Sequence, residues 1–303
     1  INMKYQTPLY IACMRNDSNL FDALYQSKQG PQIDVNLTSP VYIAALKGHL
    51  MLLDKMLQIP GIDLNCNKKD EENFSNVDEN DDDYDGYKRE FKFDGFNLLH
   101  VISFYDSYEI LKELIESRQF DINETTKVTI NLLNVNFIKN ETPLVISLRN
   151  NRVKNVSLLF EYYRTQLDFN VFNDYGMAAI HYCLRLKENR DRILKDMIQI
   201  DDNIVTLKSN NNETPLFIAL QSRSIDSVCY LIDNPKINIL DHDRKYKTIL
   251  HYMANEYETK SIDFVLEKVR NALNEVNANE RFDFINAHDT NIDTALSIAC
   301  KNS

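Results

Sequence analysis

The chain has 303 residues, 44% of them hydrophobic, which is ample for a large core but longer than one compact core accommodates, so two domains or a repeat array are expected. Only 6 Gly and 7 Pro occur, too few for a sandwich built on tight turns or for several glycine-rich phosphate loops, and helix is the default reading. The formal charge of -11 is concentrated: nine acidic residues and no Lys or Arg lie between Asp70 and Asp85, and without them the charge is -2; an acidic balance argues against a sequence-independent grip on nucleic acid.

The five cysteines, Cys13, Cys66, Cys183, Cys229 and Cys300, are odd in number and form no Cys-x-x-Cys pair, which points to a reducing, intracellular and cytoplasmic setting. No apolar run is long enough to span a membrane and no charged-then-apolar leader opens the chain, so neither membrane insertion nor secretion is expected. The chain begins at Ile1 without an initiator Met and stops at Ser303 within an unfinished unit, as a piece of a longer protein would.

Along the chain one pattern returns. Thr7-Pro8-Leu9-Tyr10-Ile11-Ala12-Cys13 is followed by Ser39-Pro40-Val41-Tyr42-Ile43-Ala44-Ala45, then Thr142-Pro143-Leu144, then Thr214-Pro215-Leu216-Phe217-Ile218-Ala219, with weaker copies from Asn97, Ala178, Thr248 and Thr294. The starts at 7, 39, 97, 142, 178, 214, 248 and 294 are separated by 32, 58, 45, 36, 36, 34 and 46 residues, a period near 33 with extra residues in three intervals. Each start predicts a first helix, with a hydroxyl as N-cap and Pro at the first helical position, where its missing N–H costs nothing. A connection near Asn16, Gly48, Asp106 or Asn151 uses residues that tolerate left-handed backbone. A second helix follows, carrying an apolar triplet at i, i+3, i+4: Phe21/Leu24/Tyr25, Leu53/Met56/Leu57, Leu111/Leu114/Ile115, Val156/Leu159/Phe160, Val228/Leu231/Ile232 and Ile262/Val265/Leu266. The fifth unit slips by two residues, to Leu194/Met197/Ile198. Asp-apolar-Asn closes four units, at Asp34, Asp63, Asp121 and Asp168.

These residues resemble the ankyrin repeat, whose signature Thr-Pro-Leu-His-x-Ala opens a helix–turn–helix unit followed by a projecting hairpin. The second unit, Ser39 to Asn65 with Gly48-His49, matches best; the glycine after the first helix is otherwise missing and hairpin glycines are mostly absent. The resemblance implies an all-α ankyrin-repeat solenoid over residues 1–303, of about eight units joined by hairpin-like loops and starting near 5, 37, 95, 140, 176, 212, 246 and 292. Two inserts interrupt it. Residues 68–94 are acidic and read as disordered. Residues 127–139 nearly alternate in polarity, as a longer hairpin would, and the extra residues near Arg270 to Phe284 read as an extension of a second helix.

Catalytic chemistry finds little support. His100, His181 and His251 occupy the fourth signature position, where the family uses histidine structurally; His49 is a packing position, and His242 and His288 fall alone in hairpins. Cys13 and Cys300 take the small packed Ala position, and Cys183 and Cys229 read as core or half-buried. Asp81-x-Asp83-x-Asp85-Gly86 imitates half of a calcium loop, but Lys92 stands where the bidentate Glu belongs. No metal, cofactor or enzyme motif is present.

The resemblance places binding on a concave surface made from hairpin tips and the exposed ends of first helices. Seven and eight residues after each start lie Met14 and Arg15, Leu46 and Lys47, Phe104 and Tyr105, Arg149 and Asn150, Arg185 and Leu186. Arg15, Lys47, Arg149 and Arg185 around Phe104 and Tyr105 form an expected basic and aromatic row, with Phe96, Tyr175, Lys245 and Lys247 from the hairpins adding to it. An acidic or extended protein segment fits such a row, and the Asp70–Asp85 loop is a candidate internal competitor for it. The function implied is a monomeric protein–protein recognition scaffold; the alternative is the regulatory or targeting arm of a larger enzyme or channel.

Overall fold

The computed structural model describes residues 7–26, 40–62, 64, 96–117, 120–127, 129–132, 135–256 and 259–302. They belong to two compact units, Ile1–Tyr163 and Arg164–Ser303. Cys66, the calcium-loop imitation and the acidic stretch 70–85, with the whole of insert 68–94, lie outside the described residues.

In the first unit the described elements run α1 Pro8–Arg15, α2 Ser18–Gln26, α3 Pro40–Leu46, α4 Leu50–Leu57, α5 Leu98–Phe104, α6 Tyr108–Glu116, β1 Ile130–Leu132, β2 Val135–Phe137, α7 Pro143–Arg149 and α8 Val153–Tyr163. In the second they are α9 Ala179–Cys183, α10 Arg190–Ile200, a 3-10 turn at Asp202–Thr206, α11 Pro215–Gln221, α12 Ile225–Ile232, α13 Ile249–Glu256, α14 Thr259–Leu273, α15 Ala278–Ile285 and α16 Ala295–Asn302. The odd-numbered helices α1 to α13 are first helices of repeats, each followed by its second helix.

The caps explain the helix starts. Thr7 Oγ1 accepts from the Tyr10 amide at 3.1 Å, Thr142 Oγ1 from Val145 at 3.3 Å and Thr294 Oγ1 from Ser297 at 3.1 Å. Thr214 departs from this, keeping Pro215 at the first position but making no side-chain cap bond. First helices pack on the first helices of adjacent repeats within each compact unit, and α1, α3, α5, α7, α9 and α11 also pack on their own second helices. Enclosed on several sides, they are apolar nearly all round, as Val41 to Leu46 and Leu216 to Leu220 show. Second helices bury one stripe only: Leu53 and Met56 are in the core, whereas Met51 of the same helix is open to solvent.

The turn between the two helices sits in left-handed geometry nine residues after the start, at Asn16, Gly48, Asn151 and Arg223. At Gly48 (φ +72°) the close approach matters too, because an added Cβ would lie 2.9 Å from the Tyr105 ring. Asp106 does not follow this pattern; its predecessor Tyr105 leaves the helix extended, with φ -92° and ψ 157°. In the fifth repeat the left-handed residue is Asn189, two places late, and this longer turn explains why the apolar triplet Leu194/Met197/Ile198 also slips by two.

Three expectations about packing change. Tyr25 and Leu266 are exposed although they belong to apolar triplets. Cys300 is exposed rather than packed, because no second helix covers α16 among the described residues. The residues near Arg270 to Phe284 do not extend a single helix: α14 ends at Leu273, and Asn277 caps a separate α15 by accepting from the Glu280 amide at 2.9 Å.

Candidate functional site

The projecting hairpins are built on one repeated turn. Numbered from the repeat start, a polar residue at position -5 has its amide bonded to the carbonyl at -1, while its own carbonyl accepts from the amide at -2. The pairs are Asn173 with Met177 and Gly176, Ser209 with Glu213 and Asn212, Asp243 with Lys247 and Tyr246, and Asp289 with Asp293 and Ile292. The side chain at -5 then accepts from the two amides two and four residues on: Asn173 Oδ1 from Tyr175 and Met177, Ser209 Oγ from Asn211 and Glu213, Asp243 Oδ1 from Lys245 and Lys247, Asp289 Oδ1 from Asn291 and Asp293. Asn140, Gly176, Asn212, Tyr246 and Ile292, all at -2, are left-handed.

Insert 127–139 enters this same turn without breaking it. Thr126 stands in for position -5: its amide bonds to the Glu141 carbonyl at 3.0 Å, its carbonyl accepts from Asn140 at 2.7 Å, and its hydroxyl accepts from Glu141 N at 2.9 Å. The additional residues include the two antiparallel strands β1 and β2, with Ile130 opposite Phe137.

Within residues 164–303 the tips are tied to one another. Asn210 N donates to Tyr175 O at 3.3 Å, Arg244 N to Asn211 O at 2.7 Å and Thr290 N to Lys245 O at 3.0 Å. The side chains leaving this ladder include three large apolar groups in the open: Tyr175 at 60%, Tyr246 at 58% and Ile292 at 80% exposure. Tyr246 carries His242, whose ring stacks on it at 5.0 Å, so this histidine is not alone in its hairpin.

The predicted row separates into distinct environments. Arg15, Arg185 and Tyr175 are exposed, and Lys47 is half-buried. Phe104 and Tyr105 are half-buried against each other, with ring centroids 5.4 Å apart. Tyr105 is also a strut: its hydroxyl donates to Leu46 O at 2.7 Å, its carbonyl accepts from Asn155 Nδ2 at 2.7 Å, and burial, opposed by Arg152, pushes its phenol up to about 12. Arg149 is not a free cation. Its Nε and Nη2 lie 2.8 Å from the two oxygens of Glu141, and the two side chains are 16% and 0% exposed. Phe96 belongs to the core, 3% exposed and 4.9 Å from Phe137 in ring centroids, so it cannot join the face. Leu46 and Leu186 are core residues as well.

The signature histidines tie repeats together. His100 Nδ1 accepts from Asn97 N at 3.0 Å while its Nε2–H donates to Glu124 O at 2.8 Å. His181 does the same with Ala178 N and Leu207 O, and His251 with Thr248 N and Asp293 O. At His100 and His181 the accepting Nδ1 requires the neutral ring, and burial pulls both down to about 4. Burial pushes the Cys13 thiol up to about 12 and raises Cys183 and Cys229, the reverse of what a nucleophile needs. No cluster of three metal-binding side chains occurs among the described residues, and no helix there is long and apolar enough to cross a membrane.

No protein-family model matches the chain, and no curated protein is similar enough in sequence to match. Solved structures do match. The ankyrin repeat domain of Bcl-3, described as a unique member of the IkappaB protein family, aligns at TM-score 0.51 and 14% identity over 86% of this chain and 98% of that one. The human ASB11 ankyrin repeat domain aligns at TM-score 0.52 and 18% identity, over 86% and 91%. With the paired helices, the histidine ties and the repeated hairpin turn, these similarities show that the chain has the fold of an ankyrin-repeat solenoid.

Proposed function

We propose that the chain is a non-enzymatic recognition module that binds a protein partner through its hairpin tips and the adjoining ends of its first helices. The observation that carries this reading is the exposure of Tyr175, Tyr246 and Ile292 on turns whose backbone is held by hydrogen bonds. Large side chains on a rigid frame contribute contact area with little ordering cost on binding. The groups that would carry catalysis point the same way, since His100, His181, Cys13 and Cys183 are engaged in packing and held in unreactive protonation states.

The test is affinity capture from the source cell with the intact chain and with a Tyr175→Ala, Arg185→Glu variant, both verified as folded. Loss of a small set of proteins from the variant is expected. An identical set from both would remove these residues from the binding surface, and capture of nothing by either would overturn the recognition reading. Arg149 is unsuitable for this experiment, because replacing it would strand Glu141.

A further inference from the structure

The hairpin His242–Lys247 differs from its neighbours in the ladder. Arg244 and Lys245 are exposed at its tip and Lys247 is half-buried beside them, and none has a carboxylate partner among the described residues. In the same compact unit Lys208, Lys236, Lys268 and Lys301 each lie within 2.9 Å of an aspartate. The nearest acid in sequence does not neutralise the tip from outside. Asp243 is buried, its Oδ1 accepting from the Lys245 and Lys247 amides at 2.7 and 2.8 Å and its Oδ2 from the Tyr252 hydroxyl at 2.8 Å. Acid is therefore consumed inside the turn and base is presented outside it.

The backbone adds an independent observation. Position -2 is left-handed and is filled by Asn or Gly at Asn140, Gly176 and Asn212, which adopt that geometry at little cost, and by a β-branched residue at Ile292 in the last described hairpin. At the basic tip it is filled by Tyr246, with φ +58°. An aromatic side chain is an expensive occupant of that geometry, and this one is exposed, touching the His242 ring rather than the core. Nothing in the packing requires a tyrosine there.

We infer that this hairpin is an anion-reading site that takes a glutamate- or aspartate-rich segment of a protein partner, with Arg244, Lys245 and Lys247 meeting the carboxylates and Tyr246 packing on the intervening chain. The inference deepens the recognition reading above and rests on it. A peptide fits better than nucleic acid because the cations are confined to one tip. The tips on either side, Asn211 and Asn291, are uncharged amides suited to a peptide main chain. The turn is already held in shape, so little ordering cost is left for binding.

The experiment measures anisotropy of a labelled peptide of alternating glutamate and leucine, its glutamine counterpart, and a short oligothymidylate, against the full chain at about 50 mM salt, where surface charge is weakly screened. The glutamate peptide should bind at least about tenfold tighter than either control, and Arg244→Glu with Lys245→Glu should remove about tenfold or more of that affinity. Tyr246→Asn should weaken binding several-fold while raising Tm, a combination that a merely structural tyrosine would not give. No binding of the glutamate peptide, binding indifferent to the double substitution, or tighter binding of the oligothymidylate would overturn the site. If cell capture with the intact chain still recovers partners that the double substitution leaves unchanged, the recognition module stands and this hairpin is not its anion reader.

Discussion

The glutamate just before the first helix meets the residue eight positions later in both compact units, but with different chemistry. In residues 1–163 the pair is Glu141 with Arg149, an ion pair in which the carboxylate is fully buried. In residues 164–303 it is Glu213 with Gln221, a single amide-to-carboxylate bond of 2.8 Å shared with the Tyr252 hydroxyl at 3.2 Å. A basic residue at that position of the repeat is thus no measure of available charge, since its own hairpin can claim it. The contrast has a large thermodynamic consequence. Arg149→Ala leaves a carboxylate buried without its cation and should cost about 3–5 kcal/mol in urea unfolding, whereas Gln221→Ala should cost about 1 kcal/mol. Equal losses would show that Glu141 is relieved by water or by protonation.

A second contrast sets two left-handed glycines against each other. Gly176 holds position -2 of its hairpin with φ +65°, and an added Cβ would lie 2.5 Å from the backbone nitrogen of Asn210 in the next hairpin. Gly61 in the other compact unit has φ +80° with nothing within 4 Å of the same point. Gly176→Ala should therefore cost about 3 kcal/mol, from backbone strain and displacement of the tip ladder together, and Gly61→Ala about 1 kcal/mol from strain alone. Amide exchange at Asn210 separates the two contributions: it should accelerate in Gly176→Ala and stay unchanged in Gly61→Ala.

The helices are legible in the sequence because their signals are local: Thr-Pro supplies a cap and a first-turn residue, and the triplet at i, i+3, i+4 marks a buried stripe. The slipped triplet of the fifth repeat is legible as a slip, while its cause, Asn189 taking the left-handed place of the turn, needs the backbone. The hairpin turn is harder to read because no residue type defines it. Asn173, Ser209, Asp243, Asp289 and, across an insertion, Thr126 all fill one role, since any short side-chain acceptor reaches the same amides. Site residues fare worst. Exposure at the end of a first helix depends on what the hairpin offers it: Arg149 is claimed by Glu141, whereas Arg185 at the equivalent position is exposed. Phe96 reads as a hairpin aromatic until insert 127–139 brings Phe137 against it.

The histidine ties allow a comparison that pH sharpens. His100 in one compact unit and His181 in the other are both neutral and buried, with values near 4 against an ordinary value near 6.5. The unfolded chain takes up a proton at each as pH falls below 6.5 and the folded chain does not, so stability declines on acidification until the folded value is reached. At pH 5 the loss relative to pH 7 should be about 2 kcal/mol per histidine. Asp201 and Asp293, held below their usual value by hydrogen bonds, contribute their losses at lower pH. Urea unfolding at pH 7 and pH 5 measures the slope. His181→Gln should remove one histidine's share of it, and an unchanged slope would mean that the ring titrates in place.

The smallest effect comes from position -2, where one hairpin from each compact unit can be set against the other. Asn140 serves residues 1–163, and the last described hairpin of residues 164–303 uses Ile292 at φ +64°. A β-branched residue pays most for this geometry, because both branches of its Cβ crowd the neighbouring carbonyls. Ile292 is also 80% exposed, so it recovers little of that cost by burial. Ile292→Asn should therefore stabilise the protein by about 1 kcal/mol, and Asn140→Ile should destabilise it by about the same amount. If Ile292→Asn proves destabilising, the side chain must be covered in solution, and the exposed end of α16 beside it would be an occupied surface rather than an open one.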